Sequence, residues 1–401
     1  MAGALQMQLA RDKCAKDTFV FIEVFSCEGG IQSYIKDVLT AYAALNTVET
    51  ADIFLLRDSY RSIPPEFMSH FRFHCFQSSY PMLDRIRLAL ALGFHLLLKR
   101  PRRLFCGHIN LAVMTRQLAR LARVPYTVLT YGKEVWFPLK PAEGNALRSA
   151  DSIWTISRYS RSLACKANQL EAERIDILPC TVDGQGFTPA IASPDLKQRY
   201  GLTDARVLMT VARLWRGDPY KGVDVTIRAL PEIAMSFPNV KYLVIGRGDD
   251  QPRLVQLAND LGVAERVVFA GFVPSEELVE HYRLANVYVM PSQEGFGIVY
   301  LEAMACGIPV ISGDDDGSAD PLQDARLGWR VPHRNPAAVA AACMEALQGD
   351  DPRCNGPWLR EQTLAKFSKA ALTEQLKQLL DNFSTTTAKN LNAPDPSIRT
   401  R

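Results

Sequence analysis

The sequence predicts an α/β protein of two doubly wound, Rossmann-like domains, and three observations carry that expectation. Short apolar runs rich in β-branched and aromatic residues alternate with helix-period segments, the pattern of parallel sheets covered on both faces. The alternation lapses over one stretch and then restarts, so the pattern is made twice. A length of 401 residues suits two or three domains, each large enough to bury its own core.

Taken in order, FVFIEVF (19–25), ADIFLL (51–56), RLFCGHI (103–109), YTVLT (126–130), SIWTI (152–156) and IDIL (175–178) are the expected strands of a first domain at 18–187. TPAIASPDLKQRYGLTDA (188–205) has weak periodicity and reads as a connector. RVLMTVA (206–212), NVKYLVIG (239–246), RVVFAG (266–271), ANVYVMPS (285–292) and IPVISG (308–313) then supply a second domain at 206–365. An amphipathic helix is expected at 366–383, crossing back to the first domain. Residues 1–17 read as a flexible extension, and the polar stretch 384–401 as a disordered tail. Two such domains are expected to face a cleft at the carboxyl ends of both sheets, where α/β proteins bind ligands.

The composition narrows the chemistry. A formal net charge of +3 gives no field of one sign, which speaks against nucleic acid as a partner. Nine scattered cysteines with no C-x-x-C pair read as reduced thiols, and so as a cytoplasmic location. The histidines show no ligand spacing, so no metal is expected. The first residues lack a basic segment leading into an apolar run, and no stretch of about 18 apolar residues could span a bilayer. The expectation is a soluble or at most peripheral protein. One segment, DRIRLALALGFHLLLKRPRR (84–103), joins an apolar helix to Arg87, Lys99, Arg100, Arg102 and Arg103. It reads either as a helix covering the sheet or as one making peripheral contact with an anionic membrane.

Three segments carry chemistry. In PSQEGFGIVYLEAMACGIPVI (291–311), Gly295 and Gly297 allow a tight turn into a helix starting near Ile298. Free backbone N–H groups around Phe296, Gly297, Ile298 and Val299 suit a diphosphate or sugar hydroxyls. Glu294 projects from the loop, and Glu302 lies where a carboxylate can accept hydrogen bonds from a ribose. In VARLWRGDPYKGVDVTIRAL (211–230), Arg213 and Lys221 flank a loop in which two cations can grip one diphosphate. In FSCEGGIQSYIKDVL (25–39), Gly29 and Gly30 turn a strand into a helix and let the backbone approach a phosphate. His108 sits at the carboxyl end of a strand. Taken singly, a Lys and an Arg are ordinary surface charges, and a lone His is more often a core residue than a catalytic one.

The first of these strings resembles the E-x7-E signature of glycosyltransferase family 4, retaining enzymes of the GT-B fold, with Glu294 and Glu302 as its two glutamates. The resemblance runs from about residue 18 to 383. It implies transfer of a hexose from a UDP- or GDP-linked sugar to a hydroxyl of a saccharide or lipid-linked acceptor, in polysaccharide or glycoconjugate synthesis. The co-substrate is then a nucleotide sugar, with no further cofactor and no metal, since Arg213 and Lys221 supply the charge at the leaving diphosphate. Gly29 and Gly30 resemble the family's N-terminal glycine loop, with Gln32 and Tyr34 as acceptor contacts. His108 matches the family's cleft histidine, which contacts the transferred sugar. Phe272 and Val273, in GFVPSEEL (271–278), match the segment that frames the nucleobase through its backbone. The sequence departs from the pattern at YGKEVW (131–136), where Tyr131 replaces a His, and at LPCTVD (178–183), where Cys180 and Thr181 replace Asn and Gly. The acidic run GDDDGSAD (313–320) reads as a solvated loop rather than a metal-binding D-x-D. A non-catalytic GT-B chain, binding a sugar nucleotide or partnering an active enzyme, is the alternative.

Overall fold

The computed structural model describes residues 17–45, 51–217 and 219–391. The chain forms two compact units, one of residues up to 156, 160–178 and from 372 onward, the other of residues 157–159 and 179–371. The division falls at Leu178, ahead of the expected 187, so the connector belongs to the second unit. The connector carries a short helix, Pro194–Arg199, capped by the Ser193 hydroxyl.

Among the described residues, the first unit holds seven strands: β1 (Thr18–Phe21), β2 (Ala51–Leu55), β3 (Phe71–Cys75), β4 (Leu104–Cys106), β5 (Tyr126–Leu129), β6 (Ser152–Thr155) and β7 (Ile175–Ile177). They form one parallel sheet in the order β3-β2-β1-β4-β5-β6-β7. The second unit holds β8 (Arg206–Val211), β9 (Val240–Ile245), β10 (Val267–Gly271), β11 (Val287–Met290), β12 (Val310–Gly313) and β13 (Trp329–Val331). Its parallel order is β10-β9-β8-β11-β12-β13. Each sheet reverses direction of growth at one point, between β1 and β4 and between β8 and β11. Loops leaving the strands at such a switch point splay apart and leave a crevice for a ligand.

The strands are shorter than the apolar runs that announce them, for local reasons. FVFIEVF leaves the sheet after Phe21 because the amides of Val24, Phe25 and Ser26 donate to the buried carboxylate of Asp58, at 2.6, 3.0 and 2.7 Å. β3 and β13 were not among the expected strands. In FRFHC only Phe71 and Phe73 point inward, and WRV offers too few residues for a period to register.

The helix Pro81–Lys99 buries Leu88, Leu92 and Leu96, a repeat of four that keeps one face on the sheet. Its opposite face is apolar as well: Met82, Leu83, Ile86, Leu90, Phe94 and Leu98 are exposed. Arg103 corrects an expectation. Its side chain is only 1% exposed, and its guanidinium donates to both carboxylate oxygens of Asp17, at 3.1 and 2.8 Å, and to the Leu380 carbonyl at 2.9 Å. It is a core ion pair, and the basic surface of this region consists of Arg85, Arg87, Lys99, Arg100 and Arg102. Leu380 lies in the last helix, Lys369–Leu391, which belongs to the first unit from Leu372 onward. That helix covers the start of the tail expected at 384, and residues 392–401 of the tail lie outside the described residues, as do residues 1–16 of the expected extension.

Candidate functional site

The loops after β8 and β11, at the switch point of the second sheet, bring Lys221 and Glu294 into a direct ion pair. Their side chains are 20% and 18% exposed, so the pair is sheltered but open to a ligand. Two backbone contacts fix it. The Gln293 amide donates to the Tyr220 carbonyl at 3.1 Å, and Gly222, at a φ of 74°, passes so close to Pro291 that a Cβ would stand 2.5 Å from its carbonyl oxygen. Only glycine satisfies both the left-handed backbone and that approach. Arg213 and Lys221 border a common hollow with Asp224 and Asp250. Those two carboxylates are already engaged: Arg334 clasps Asp224 at 2.9 and 2.7 Å, and Arg253 clasps Asp250 at 2.7 and 2.6 Å. Arg213 itself lies over the Trp215 ring, 5.3 Å from its centroid.

The loop between Glu294 and the helix Ile298–Ala305 is braced from beneath. Asp316 is buried and accepts from the Glu294 amide at 2.9 Å through one oxygen. Its other oxygen accepts from the Ser318 amide at 2.9 Å and from the Ser318 hydroxyl. Burial pushes the Asp316 carboxyl up to about 6, against the hydrogen bonds that favour its charged form. The Gly317 amide returns a bond to the Glu294 carbonyl at 2.7 Å, and the Ser157 hydroxyl donates to the Gly295 carbonyl at 2.6 Å. The acidic run is therefore not simply a solvated loop. Asp314 and Asp315 are exposed as expected, but Asp316, Gly317 and Ser318 are buried because they serve as the seat of the Glu294 loop.

The remaining residues of this string divide by what their side chains do. Gly297, at a φ of 92°, caps the helix, with Ile298 and Val299 half-buried in its first turn. Phe296 is buried edge-to-face against Phe367, with centroids 5.8 Å apart, so only its backbone is open to a ligand. Glu302 is engaged elsewhere: one oxygen accepts from the Tyr282 hydroxyl at 2.6 Å, and burial raises its carboxyl from the ordinary value although that bond opposes the rise. Beyond β10, Phe272 is exposed beneath the Arg247 guanidinium, 4.8 Å from the ring centroid, while Val273 is buried.

In the first unit, Gln32 and His108 line one cavity of about 580 Å³, with Glu23, Arg57 and Arg85 among its other walls. His108 is the cap of the helix Ile109–Ala122, its Nδ1 accepting from the Asn110 amide at 3.1 Å. Burial lowers its pKa, with the charge of Glu134 opposing. A ring whose Nδ1 accepts and whose charge is disfavoured carries its proton on Nε2, where it is a neutral hydrogen-bond donor. Gly29 and Gly30 are exposed at the start of the helix Gly30–Leu45, the Gly29 carbonyl accepting from the Ser33 amide at 2.9 Å. Tyr34 does not fit an acceptor contact: it is buried, with its hydroxyl on the Leu178 carbonyl at 2.9 Å. Tyr131, where the pattern has a His, packs edge-on against Tyr34 and donates to the Gly107 carbonyl at 2.8 Å.

Sequence reasoning missed the groups that hold the site: Asp316, Ser157 and Tyr282. It also passed over Arg57, in a segment with no motif, and Arg85, which lies inside the 84–103 segment but was not picked out from it. Asp316 had a signal, since a D-G-S following a strand suits a capped turn, which the 3₁₀ turn Gly317–Ala319 provides.

Known proteins match this architecture. The profile of the family described as "Glycosyl transferases group 1" covers residues 205–349. The GDP-mannose-dependent alpha-(1-6)-phosphatidylinositol monomannoside mannosyltransferase of Mycolicibacterium smegmatis is 38% identical over 240 residues, 56% of this chain and 60% of the relative's own length. The GDP-mannose-dependent monoacylated alpha-(1-6)-phosphatidylinositol monomannoside mannosyltransferase of Corynebacterium glutamicum is 30% identical over 271 residues, 63% of this chain and 69% of that relative. Among solved structures, Anabaena HepE in complex with UDP superposes with a TM-score of 0.74 at 18% identity, over 92% of this chain and 100% of that one. With the two parallel sheets, these matches establish that the chain has the GT-B fold and belongs to the group 1 glycosyl transferases.

Proposed function

We propose that the protein transfers a hexosyl group, with retention at the anomeric carbon, from a nucleoside-diphosphate sugar to a hydroxyl of a saccharide or lipid-linked acceptor, as an enzyme of family 4. The observation that carries this reading is the sheltered Lys221–Glu294 pair at the switch point of the second sheet, beside Arg213. A donor diphosphate competes with Glu294 for the Lys221 ammonium, and Arg213 adds a second positive charge. Once released, Glu294 accepts hydrogen bonds from sugar hydroxyls and orients the sugar. The same two cations stabilise the departing diphosphate, an electrostatic role that calls for no bound metal. Glu302 offers its remaining carboxylate oxygen to the ribose, with Tyr282 holding the other. Phe272 and Arg247, stacked on one another, are the groups assigned to the base in this reading. His108, as a neutral Nε2–H donor, binds the transferred sugar rather than removing a proton.

GDP-mannose is the first donor to test, because the relatives named above use it. A thermal-shift panel of GDP- and UDP-sugars, with and without EDTA, checks the reading. One nucleotide sugar should raise the melting temperature through mass action, unaffected by the chelator. A flat response to every nucleotide sugar from folded protein overturns it.

The acceptor is brought from a membrane surface. No described helix is long and apolar enough to cross a bilayer. Yet the outer face of Pro81–Lys99 presents Leu90, Phe94 and Leu98, with Arg87 and Lys99 exposed on the same helix, a composition suited to an anionic lipid interface. A peripheral position on the cytoplasmic face of a membrane is the location this reading calls for. Sedimentation with phosphatidylglycerol vesicles should carry wild type down and leave Leu90→Asp/Phe94→Asp in solution. Equal partitioning of both removes the helix from the contact.

A further inference from the structure

The hollow bordered by Arg213 and Lys221 also carries Asp224 and Asp250, and both carboxylates are buried. Alone, they would match the two cations charge for charge and oppose any anion placed there. Each is instead met by a guanidinium. Arg253, one turn along the helix Gln251–Asp260, bonds both oxygens of Asp250 from the wall of the hollow itself. Arg334 comes from further off. It follows β13, 110 residues beyond Asp224, and reaches both oxygens of that carboxylate. The two pairs form one cluster, since the charge of Asp224 also acts on Arg253 and that of Arg253 on Arg334.

The fold brings Arg334 to its partner through the next helix, Pro336–Gln348. Asn335 caps that helix, accepting from the Ala338 amide at 3.1 Å, and the helix packs along Val223–Ser236, whose first turn holds Asp224. Arg334 binds from the solvent side, its side chain being 49% exposed against 7% for Asp224. A carboxylate in the first turn of a helix is favoured in its charged form by the macrodipole, so Asp224 keeps its charge. Neutral hydrogen-bonding groups could brace that turn equally well. Only a cation also cancels the buried negative charge, which is costly when left alone.

We infer that Arg334 is a positioning residue for the donor: by cancelling the charge of Asp224, it leaves the field of Arg213 and Lys221 to the donor's diphosphate. Arg253 does the same at Asp250. This rests on the transferase reading and deepens it, because donor affinity then depends on a residue that acts only through a carboxylate.

The test takes four full-length proteins, wild type, Arg334→Gln, Asp224→Asn and the double variant, with circular dichroism as the check of folding. Each is titrated calorimetrically with GDP, with UDP and with inorganic pyrophosphate, a probe that lacks base and sugar. Affinity should follow the charge left beside the hollow. Arg334→Gln should bind the nucleotide about tenfold more weakly, and higher salt should shrink that deficit. Asp224→Asn should bind more tightly than wild type, and the double variant should return to the wild-type value. Arg334→Lys, which keeps the charge and loses the fork, should stay within about threefold of wild type. A mere brace predicts another order, with Asp224→Asn as weak as Arg334→Gln and no recovery in the double variant. That order, or an Arg334→Gln affinity equal to wild type, overturns the assignment. Should Arg334→Gln fail to fold, Asp224→Asn still decides, since tighter binding follows from charge and weaker binding from a lost brace. If neither GDP nor UDP binds wild type, the transferase reading fails and the pyrophosphate ranking decides for Arg334. Wild type that binds neither nucleotide nor pyrophosphate overturns both.

Discussion

The loops around Glu294 in the second unit and the cavity around His108 in the first are built on opposite principles. In the former nearly every polar group already has a protein partner: Lys221 with Glu294, Glu302 with Tyr282, Asp316 with the Glu294 amide. In the latter, two arginines stand uncommitted beside a roomy cavity. On the proposed reading, a site that meets the same nucleotide sugar every turn gains from groups fixed in advance, since no reorganisation is then needed during reaction. A site whose ligand fixes specificity keeps its charges unpaired until that ligand arrives.

The contrast is broken most directly at the ion pair. Lys221→Ala and Glu294→Ala should each lower kcat/KM by about 10²–10³-fold with an unchanged circular dichroism spectrum, the scale of a lost electrostatic contact in a transition state. Near-normal turnover in both would falsify the assignment of the site. The equivalent change at Gln32 should act mainly on the KM for acceptor.

A smaller effect tests whether the Glu294 loop is truly held from beneath. At Gly317 an added Cβ would stand 2.0 Å from the Gly295 carbonyl oxygen, which is backbone and cannot swing aside. Gly317→Ala should cost about 1–3 kcal/mol in urea unfolding, in the range for overpacking, and weaken GDP binding with it. Stability lost without any change in GDP affinity would separate the seat from the site.

The smallest effect concerns His108, whose cap and whose sugar contact can be pulled apart. His108→Ala should lose roughly 1 kcal/mol with the N-cap, and His108→Asn should restore it, since Asn caps well, while transfer stays impaired in both. The pH dependence follows from burial, which sets the folded pKa of His108 and of His95 below the ordinary 6.5. The unfolded rings therefore take protons first, so their contribution is complete above 6.5 and declines as pH falls below it. His108→Asn should flatten part of that slope. An unchanged slope would mean that the ring takes up its proton alike in the folded and unfolded chain.

The second unit was the more legible in sequence, and for a physical reason. A diphosphate needs cations, a glycine turn and carboxylates at fixed spacing along one or two segments, and such spacing is visible in a string of letters. Its supports were not, because Asp316 and Tyr282 reach the loop from elsewhere in the chain, and only the fold makes them neighbours. In the first unit, Arg57 and Arg85 are brought to one wall by separate elements, and neither residue stands out at a spacing that the sequence shows. Tyr34 and Arg103 misled for the converse reason: a tyrosine near a glycine loop and an arginine in a basic run read as surface groups, and each satisfies its polar atoms in the interior.

Arg103 has one further consequence, for the order in which the chain can fold. Its guanidinium joins Asp17, near the start of the chain, to the Leu380 carbonyl, near its end. During synthesis the strands of the first unit emerge before its last helix, so this buried cation stays short of one acceptor until Leu380 follows. The second unit, residues 157–159 apart, is contiguous, and the rest of it lies between residues 179 and 371, so it draws on nothing beyond that point. Truncation ahead of residue 380 should therefore loosen the first unit while leaving the second with all of its elements.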